Sequence, residues 1–143
     1  MIIPGTPSLH SHSKIYVIRL KPHEDLKQSL LRFAEENGIR AAVILTCVGS
    51  LEQYNLRFAN RQDATLRQGH FEILSLAGTL SQSSAHLHLC IADHDGVTTG
   101  GHLLNNNLVF TTAEIALAEL TDLAFEREFD PASGYAELEI RHL

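Results

Sequence analysis

Hydrophobic and polar residues alternate along several short stretches of the chain, and this two-residue period predicts β-strands. Residues 14–20 (KIYVIRL), residues 84–93 (SAHLHLCIAD) and the two C-terminal runs LAFEREFD and YAELEIRH all follow it. Residues 41–59 and 70–80 are rich in strand-forming side chains and predict two further strands, the first with a bend at Gly49. Residues 108–120 remain ambiguous, because the alanines favour a helix and the Val-Phe-Thr-Thr run favours a strand.

One segment has a helical period instead. Leu26, Leu30 and Phe33 fall on one face, the acidic residues 24 and 25 suit a first turn, and Gly38 suits the position after the last turn. Many strands, one helix and no repeating strand–helix–strand unit predict an α+β fold built on an antiparallel sheet. We expect one domain over residues 14–143, after a flexible arm of residues 1–13 that is rich in Pro, Ser, Gly and His.

Composition narrows the class of protein. The chain has 143 residues and a formal net charge of -6, so a uniformly basic surface for nucleic acid is not expected. The chain has only two cysteines, and they do not have Cys-x-x-Cys spacing. This pattern is typical of a cytoplasmic protein whose thiols stay reduced. The first residues do not resemble a secretory signal, and no run approaches the ~20 apolar residues that cross a bilayer. We therefore expect a cytoplasmic protein that does not contact membranes.

Four of the nine histidines lie between residues 86 and 102. Alternation along the strand AHLHLCIA places Leu87, Leu89 and Ile91 on one face, and His86 and His88 on the other. Residues two apart on one strand face lie ~6.5–7 Å apart. Two imidazoles at that separation can bind one ion, each at ~2 Å.

A third histidine follows a pair of glycines. Gly100 and Gly101 permit a sharp turn, which would return His102 to the preceding strand. Three neutral nitrogen ligands suit zinc, and also iron, nickel or copper. The fourth position is then open to water, a substrate or a carboxylate, and Glu72 on the neighbouring predicted strand is the candidate carboxylate.

Two other interpretations of the histidines stay open. His86 and His88 can be ordinary half-exposed strand residues that hold no ion. His10 and His12 have the same spacing, but they lie in a polar arm that offers no rigid framework, so we expect no metal there.

Several separated blocks of sequence resemble one known family. Four blocks carry the resemblance: an opening block YVIRLKPHEDLKQSLLRFAEENGIRAAVILTCVGSL, then GHFEILSLAGTL, HLHLCIADHDGVTTGGHLL and VFTTAEIALAELTDLAFEREFDPASGYAELEI. Together they are similar to the plants-and-prokaryotes-conserved (PPC) domain from about residue 15 to 140. The resemblance implies an α+β fold, assembly as a homotrimer, and a strand at AEIALAEL (residues 113–120) in the ambiguous segment. It also implies a metal, usually zinc, bound at the positions of His86, His88 and His102.

The resemblance gives weaker guidance about DNA. Plant members carry an Arg-Gly-Arg-Pro hook for the minor groove, which this chain lacks, and an arginine where this chain has His70. Arg57, Arg61 and Arg67 form the one loose basic group, in a predicted loop region. Since phosphate contacts need clustered Lys and Arg, we expect DNA binding to be weak or absent.

Two functional hypotheses follow. The first is a stand-alone, cytoplasmic, trimeric zinc-binding module with a regulatory or DNA-associated role, whose partners are copies of itself and a protein or small-molecule ligand. The alternative is a zinc-dependent enzyme that acts on a small molecule, with three histidines and a water at the metal and Glu72 as a general base or ligand.

Overall fold

The structure, a computed structural model, describes residues 9–143. One helix and eight strands are present in this part of the chain. In chain order they are β1 (Ser13–Leu20), α1 (Leu26–Glu36), β2 (Ala42–Arg57), β3 (Thr65–Leu80), β4 (Ala85–Ala92), β5 (Thr98–Leu103), β6 (Leu108–Leu120), β7 (Leu123–Asp130) and β8 (Tyr135–His142). The predicted α+β class with one main helix is confirmed.

Six strands form an antiparallel sheet in the order β1-β6-β2-β3-β4-β5, and β7 and β8 form a separate hairpin. The long strand β2 also pairs at its C-terminal end with β5, through Leu56 with Leu103 and Arg57 with His102. Because β2 contacts both β3 and β5, the strands β2, β3, β4 and β5 form a closed ring. Register shifts along β2 give it the curvature that this closure needs.

Helix α1 begins and ends where local side chains satisfy its backbone. The carboxylate of Asp25 accepts a hydrogen bond from the amide of Gln28 at 2.9 Å, so Asp25 is the N-cap. The expectation that residues 24 and 25 form the first turn was therefore wrong by one or two positions. Gly38 has a φ of +62°, which confirms its predicted place after the helix.

The structure decides one ambiguous segment and changes the interpretation of another. The ambiguous residues 108–120 form strand β6, as the family resemblance implied for residues 113–120. Strand β5 includes Gly100 and Gly101, where we expected a sharp turn. Its sequence, TTGGHL, has two strand-forming threonines, but the central glycines disfavour a strand, and the pairing with β4 on one edge and β2 on the other determines its conformation.

The core lies between α1 and the sheet and continues inside the ring of strands. Leu87, Leu89 and Ile91 of β4 are buried, as their alternation predicted, and Leu56 and Leu103 are fully buried where the ring closes. A second, smaller apolar cluster forms where Leu123 and Phe125 of β7 pack on Ala41. The β7–β8 hairpin is thereby fixed against the sheet.

The expected N-terminal arm is only partly within the described residues. Residues 1–8 lie outside them, and residues 9–12 precede β1, which begins at Ser13. The division into an arm and a single domain over residues 14–143 stays a prediction. In the described part of the chain, no helix is long and apolar enough to cross a membrane.

Candidate metal centre

His86 and His88 lie on the face of β4 that points away from the core. Both are exposed, while the intervening Leu87 is 1% exposed, so the predicted alternation is confirmed at these positions. The two imidazole rings are 5.1 Å apart between centroids. The buried leucines fix the strand, and the strand fixes the direction of both rings.

His102 joins this pair through strand pairing. On β5 it lies directly opposite His88 of β4, and on its other side it pairs with Arg57 of β2. The turn that joins β4 to β5 is at residues 93–97, where the Asp93 carboxylate accepts hydrogen bonds from the amides of Asp95 and Val97 at 2.9 and 3.0 Å. The prediction that Gly100 and Gly101 make the turn was wrong.

The two glycines serve close packing between strands. A Cβ atom at Gly101 would lie 2.8 Å from the carbonyl oxygen of Arg57, and one at Gly100 would lie 3.1 Å from that of Leu89. Larger residues at these positions would push β5 away from its neighbours. The glycines therefore allow β5 to lie where His102 meets His88.

The three histidines form a cluster suited to a metal ion. Each offers one ring nitrogen, and the three nitrogens all lie within 4.8 Å of one another. Ring centroids are 5.1 Å apart for His86 and His102 and 5.7 Å for His88 and His102. Ligand nitrogens on a tetrahedral zinc lie ~3.3 Å apart. Small rotations of the exposed side chains would bring them to that separation, so the donor set fits a metal ion.

The surroundings favour neutral imidazoles, which is the form that binds metal. Burial, with a contribution from the positive charge of Arg57, lowers the pKa of His102 to about 4. Burial and the charge of Arg127 also lower the pKa of His86. These two rings therefore resist protonation below the usual pH range of histidine.

Glu72 does not belong to the cluster. It pairs with Ala92, at the opposite end of β4 from His86, and so lies about 13 Å from His88 along the strands. The expectation that Glu72 serves as a ligand or general base was therefore wrong, because β3 and β4 run antiparallel with this register. The nearby carboxylate is Glu137 of β8, which lines a cleft together with His86.

This cleft lies between the histidine cluster and the β7–β8 hairpin. Arg57 and Arg127 line it, with Tyr135 and Glu137 of β8. Arg127 donates a hydrogen bond to the Thr79 hydroxyl at 3.0 Å, which links the hairpin to β3. Sequence reasoning missed both arginines: Arg57 was placed in a loop region, and Arg127 was not singled out. The alternation of Arg127 against Glu126 and Glu128 was the available signal.

His10 and His12 lie elsewhere. His12 is paired with Asp122, whose carboxylate contacts the His12 ring nitrogen Nδ1 at 2.9 Å and its backbone amide at 2.7 Å. Neither residue is in the three-histidine cluster.

The fold agrees with the comparison to known families. The Plants and Prokaryotes Conserved (PCC) domain matches residues 8–121, and the chain belongs to this family. The resemblance inferred from the sequence blocks is thus confirmed.

Curated relatives are longer proteins. The chain is 46% identical to a protein named bifunctional protein GlmU from Synechococcus sp. (strain JA-3-3Ab), over 89% of this chain and 20% of that protein. It is 33% identical to AT-hook motif nuclear-localized protein 13 of Arabidopsis thaliana, over 60% of this chain and 22% of that protein. The chain spans about a fifth of the length of these relatives.

Solved structures share the whole fold. A hypothetical protein from Salmonella cholerae-suis is 40% identical with a TM-score of 0.92, over 94% of this chain and 97% of that one. The metal-containing protein AF0104 of Archaeoglobus fulgidus is 27% identical with a TM-score of 0.80, over 94% and 99%. A plant- and prokaryote-conserved protein from Pyrococcus horikoshii is 28% identical with a TM-score of 0.74, over 99% and 100%.

Proposed function

We propose that this domain binds one zinc ion per chain through His86, His88 and His102. The observation that carries the proposal is the convergence of three ring nitrogens within 4.8 Å on the exposed side of β4 and β5. The name of the A. fulgidus neighbour, a metal-containing protein with the same fold, supports it. Nitrogen-only donors suit zinc, and three protein ligands leave a fourth position for another group.

Metal analysis of the purified protein tests the proposal. We expect about one zinc per chain after dialysis, and tighter retention of zinc than of manganese or magnesium, which favour oxygen ligands. A chain that holds no transition metal after incubation with zinc contradicts it. The competition should be repeated with nickel and copper, because three imidazoles also suit those ions.

We also propose that the domain works as a homotrimer. Tyr16 packs on Phe33 of α1, so the alternate residue Val17 lies on the opposite face of the sheet. That face leaves Val17, Val48 and Leu74 exposed by 78%, 61% and 53%. Val48 and Leu74 lie opposite each other on β2 and β3, next to the paired residues Gly49 and Ile73. A run of exposed apolar side chains across a sheet is typical of a subunit interface.

Light scattering tests the assembly. We expect three times the chain mass of 15.8 kDa, and dissociation in a Val48→Glu variant, because a charge would be buried in the interface. A Thr98→Glu variant, changed at the exposed start of β5 and at the other end of that strand from its contact with β2, serves as the matched control. A wild-type protein that stays monomeric at every concentration contradicts the proposal.

We further propose that this module has a regulatory or DNA-associated role, and that any contact it makes with DNA is weak. Curated relatives include AT-hook proteins, but this chain has a net charge of -6. Fluorescence anisotropy at near-physiological salt should detect only weak, sequence-independent binding. Sub-micromolar binding to one DNA sequence would contradict this expectation. A cytoplasmic location is part of the same proposal.

A zinc-dependent enzyme that acts on a small molecule is the second candidate function. The cleft beside the cluster favours it, because a substrate there would lie next to the open metal position. Zinc would act as a Lewis acid, Arg57 and Arg127 would orient the substrate, and Glu137, the carboxylate that lines the cleft, would exchange a proton with it. Turnover that is abolished by a chelator and restored by zinc would support this candidate.

A further inference from the structure

Two arginines of the cleft have no acidic partner. In the described part of the chain, Arg141 is the one arginine that forms ion pairs with carboxylates. Arg57 and Arg127 form none there. Arg57 is half-buried, and its guanidinium donates to the carbonyl oxygen of Arg61 at 3.4 Å. Arg127 is also half-buried and donates to the neutral hydroxyl of Thr79. Two partly desolvated cations thus line one cleft.

The hairpin is arranged to leave Arg127 unpaired. Its sequence neighbours Glu126 and Glu128 project to the other face of β7, where both pair with Arg141 of β8. One carboxylate, Glu137, lines the cleft beside the two arginines. The cleft is therefore locally positive in a chain whose formal net charge is -6.

We propose that the cleft binds a small organic anion, whose carboxylate or phosphate group is held by Arg57 and Arg127 beside the histidine cluster. A guanidinium can donate two parallel hydrogen bonds to either group, which makes arginine suited to such anions. The position of the anion next to the metal rests on the function proposed above. The contacts of the anion with the two arginines are independent of that proposed function.

The surroundings favour a small molecule over a nucleic acid. The cleft is bounded by β4 and β5 on one side and the β7–β8 hairpin on the other, and Glu137 forms part of its wall. A polyanion would meet this carboxylate on a chain whose net charge is -6, whereas a single charged group can contact the arginines alone. Tyr135, at the mouth of the cleft, offers a hydroxyl and a ring to the rest of the molecule.

Calorimetric titration of the full chain with oxalate and with inorganic phosphate tests the proposal. Both zinc-loaded and metal-free protein are titrated, and the tighter probe identifies the preferred group. We expect Arg57→Gln and Arg127→Gln each to weaken binding about tenfold or more, because each removes a charge-assisted hydrogen bond. Arg32→Gln is the matched control: it removes the same charge from an exposed position on α1 and should leave binding unchanged.

A second control separates anion binding from hairpin anchoring. Thr79→Ala removes the hydrogen bond to Arg127 but keeps its guanidinium, so it should retain most of the binding. Equal losses in Thr79→Ala and Arg127→Gln, with none in Arg57→Gln, would overturn the proposal, as would binding that survives both arginine changes. Failure of both probes to bind the wild type would overturn it too.

Zinc content is measured in parallel, so that the two proposals can fail separately. Zinc uptake without anion binding contradicts this inference alone. Arginine-dependent anion binding without zinc uptake contradicts the metal site alone.

Discussion

Two segments of the chain share the pattern His-x-His, and they differ in everything around it. His86 and His88 lie on a paired strand whose alternate leucines are buried, and β5 places a third histidine beside them. His10 and His12 precede the first strand, and the ring of His12 contacts the carboxylate of Asp122. Identical spacing gives one cluster of convergent nitrogens and one exposed ion pair.

The difference lies in what fixes each side chain. A histidine pair becomes a candidate metal site when a rigid backbone orients both rings and another strand supplies a further donor. The core supplies that rigidity for β4, because Leu87 and Leu89 are almost completely buried. Four predictions test this comparison, from the largest effect to the smallest.

The largest effect should follow removal of both β4 histidines. In His86→Ala/His88→Ala we expect zinc content to fall from about one per chain to the background level, because a single imidazole remains. The variant should still fold, since both side chains are exposed. Elemental analysis and circular dichroism measure the two results. His10→Ala/His12→Ala is the matched control, with full zinc content expected, and zinc at full stoichiometry in the β4 variant would rule out the site.

A bulkier residue at Gly101 should weaken the metal site indirectly, by displacing strand β5. Gly101→Val places carbon atoms against the backbone of Arg57, and we expect a loss of roughly 1–3 kcal/mol in the free energy of unfolding. Zinc affinity should fall as well, because His102 moves with β5. Chemical denaturation and chelator competition measure these changes, with Thr98→Ala, on the exposed part of the same strand, as the control. Unchanged stability and affinity in Gly101→Val would show that the close approach of β5 and β2 does not position His102.

The stability of the metal-free protein should depend on pH because of His102. Its pKa is about 4 in the folded chain, below the ~6.5 of an unfolded chain, so the unfolded state binds more protons between these values. The free energy of unfolding should therefore fall as the pH drops from about 6.5 toward 4, and this contribution should level off below 4. Denaturation of chelator-treated protein at several pH values measures the slope. The slope should be smaller in His102→Ala, and equal slopes would contradict the prediction.

The smallest effect should come from the ion pair of the other histidine segment. Hydrogen bonds from the His12 backbone and ring lower the pKa of Asp122, so its stabilising contribution is present at neutral pH and is lost as the pH falls through that lowered value. Because the pair is exposed and screened by water, we expect Asp122→Asn to leave Tm nearly unchanged at neutral pH. A large fall in Tm would show that the segment before β1 is an integral part of the fold.

The sequence predicts the parts of this molecule that depend on local pattern. Alternation in AHLHLCIA identified the buried and exposed faces of β4 correctly, and Gly38 marked the end of α1. The convergence of His102 was expected for the wrong reason. Its position depends on the β4–β5 register and on the close approach of Gly101 to β2, and neither is visible in a six-residue run that is interrupted by two glycines.

Long-range contacts explain what the sequence did not predict. Arg127 reaches the cleft because the β7–β8 hairpin packs back on the sheet through Leu123 and Phe125. The same packing of the hairpin makes Glu137, and not Glu72, the carboxylate that lines the cleft beside the histidines. No periodicity within one segment reveals which distant strand covers it, so these residues required the tertiary structure.

The closed ring of strands also sets an order of events in folding. All three histidines lie on β4 and β5, which form one hairpin joined by a short turn, and such hairpins form in ~1–10 μs. The ring closes only when Leu56 meets Leu103, which are far apart in the chain, and contacts of this kind are slow to form. Because the hairpin already places His102 opposite His88, we expect the proposed metal ion to bind weakly before the ring closes, and with its full affinity only after β5 packs against β2.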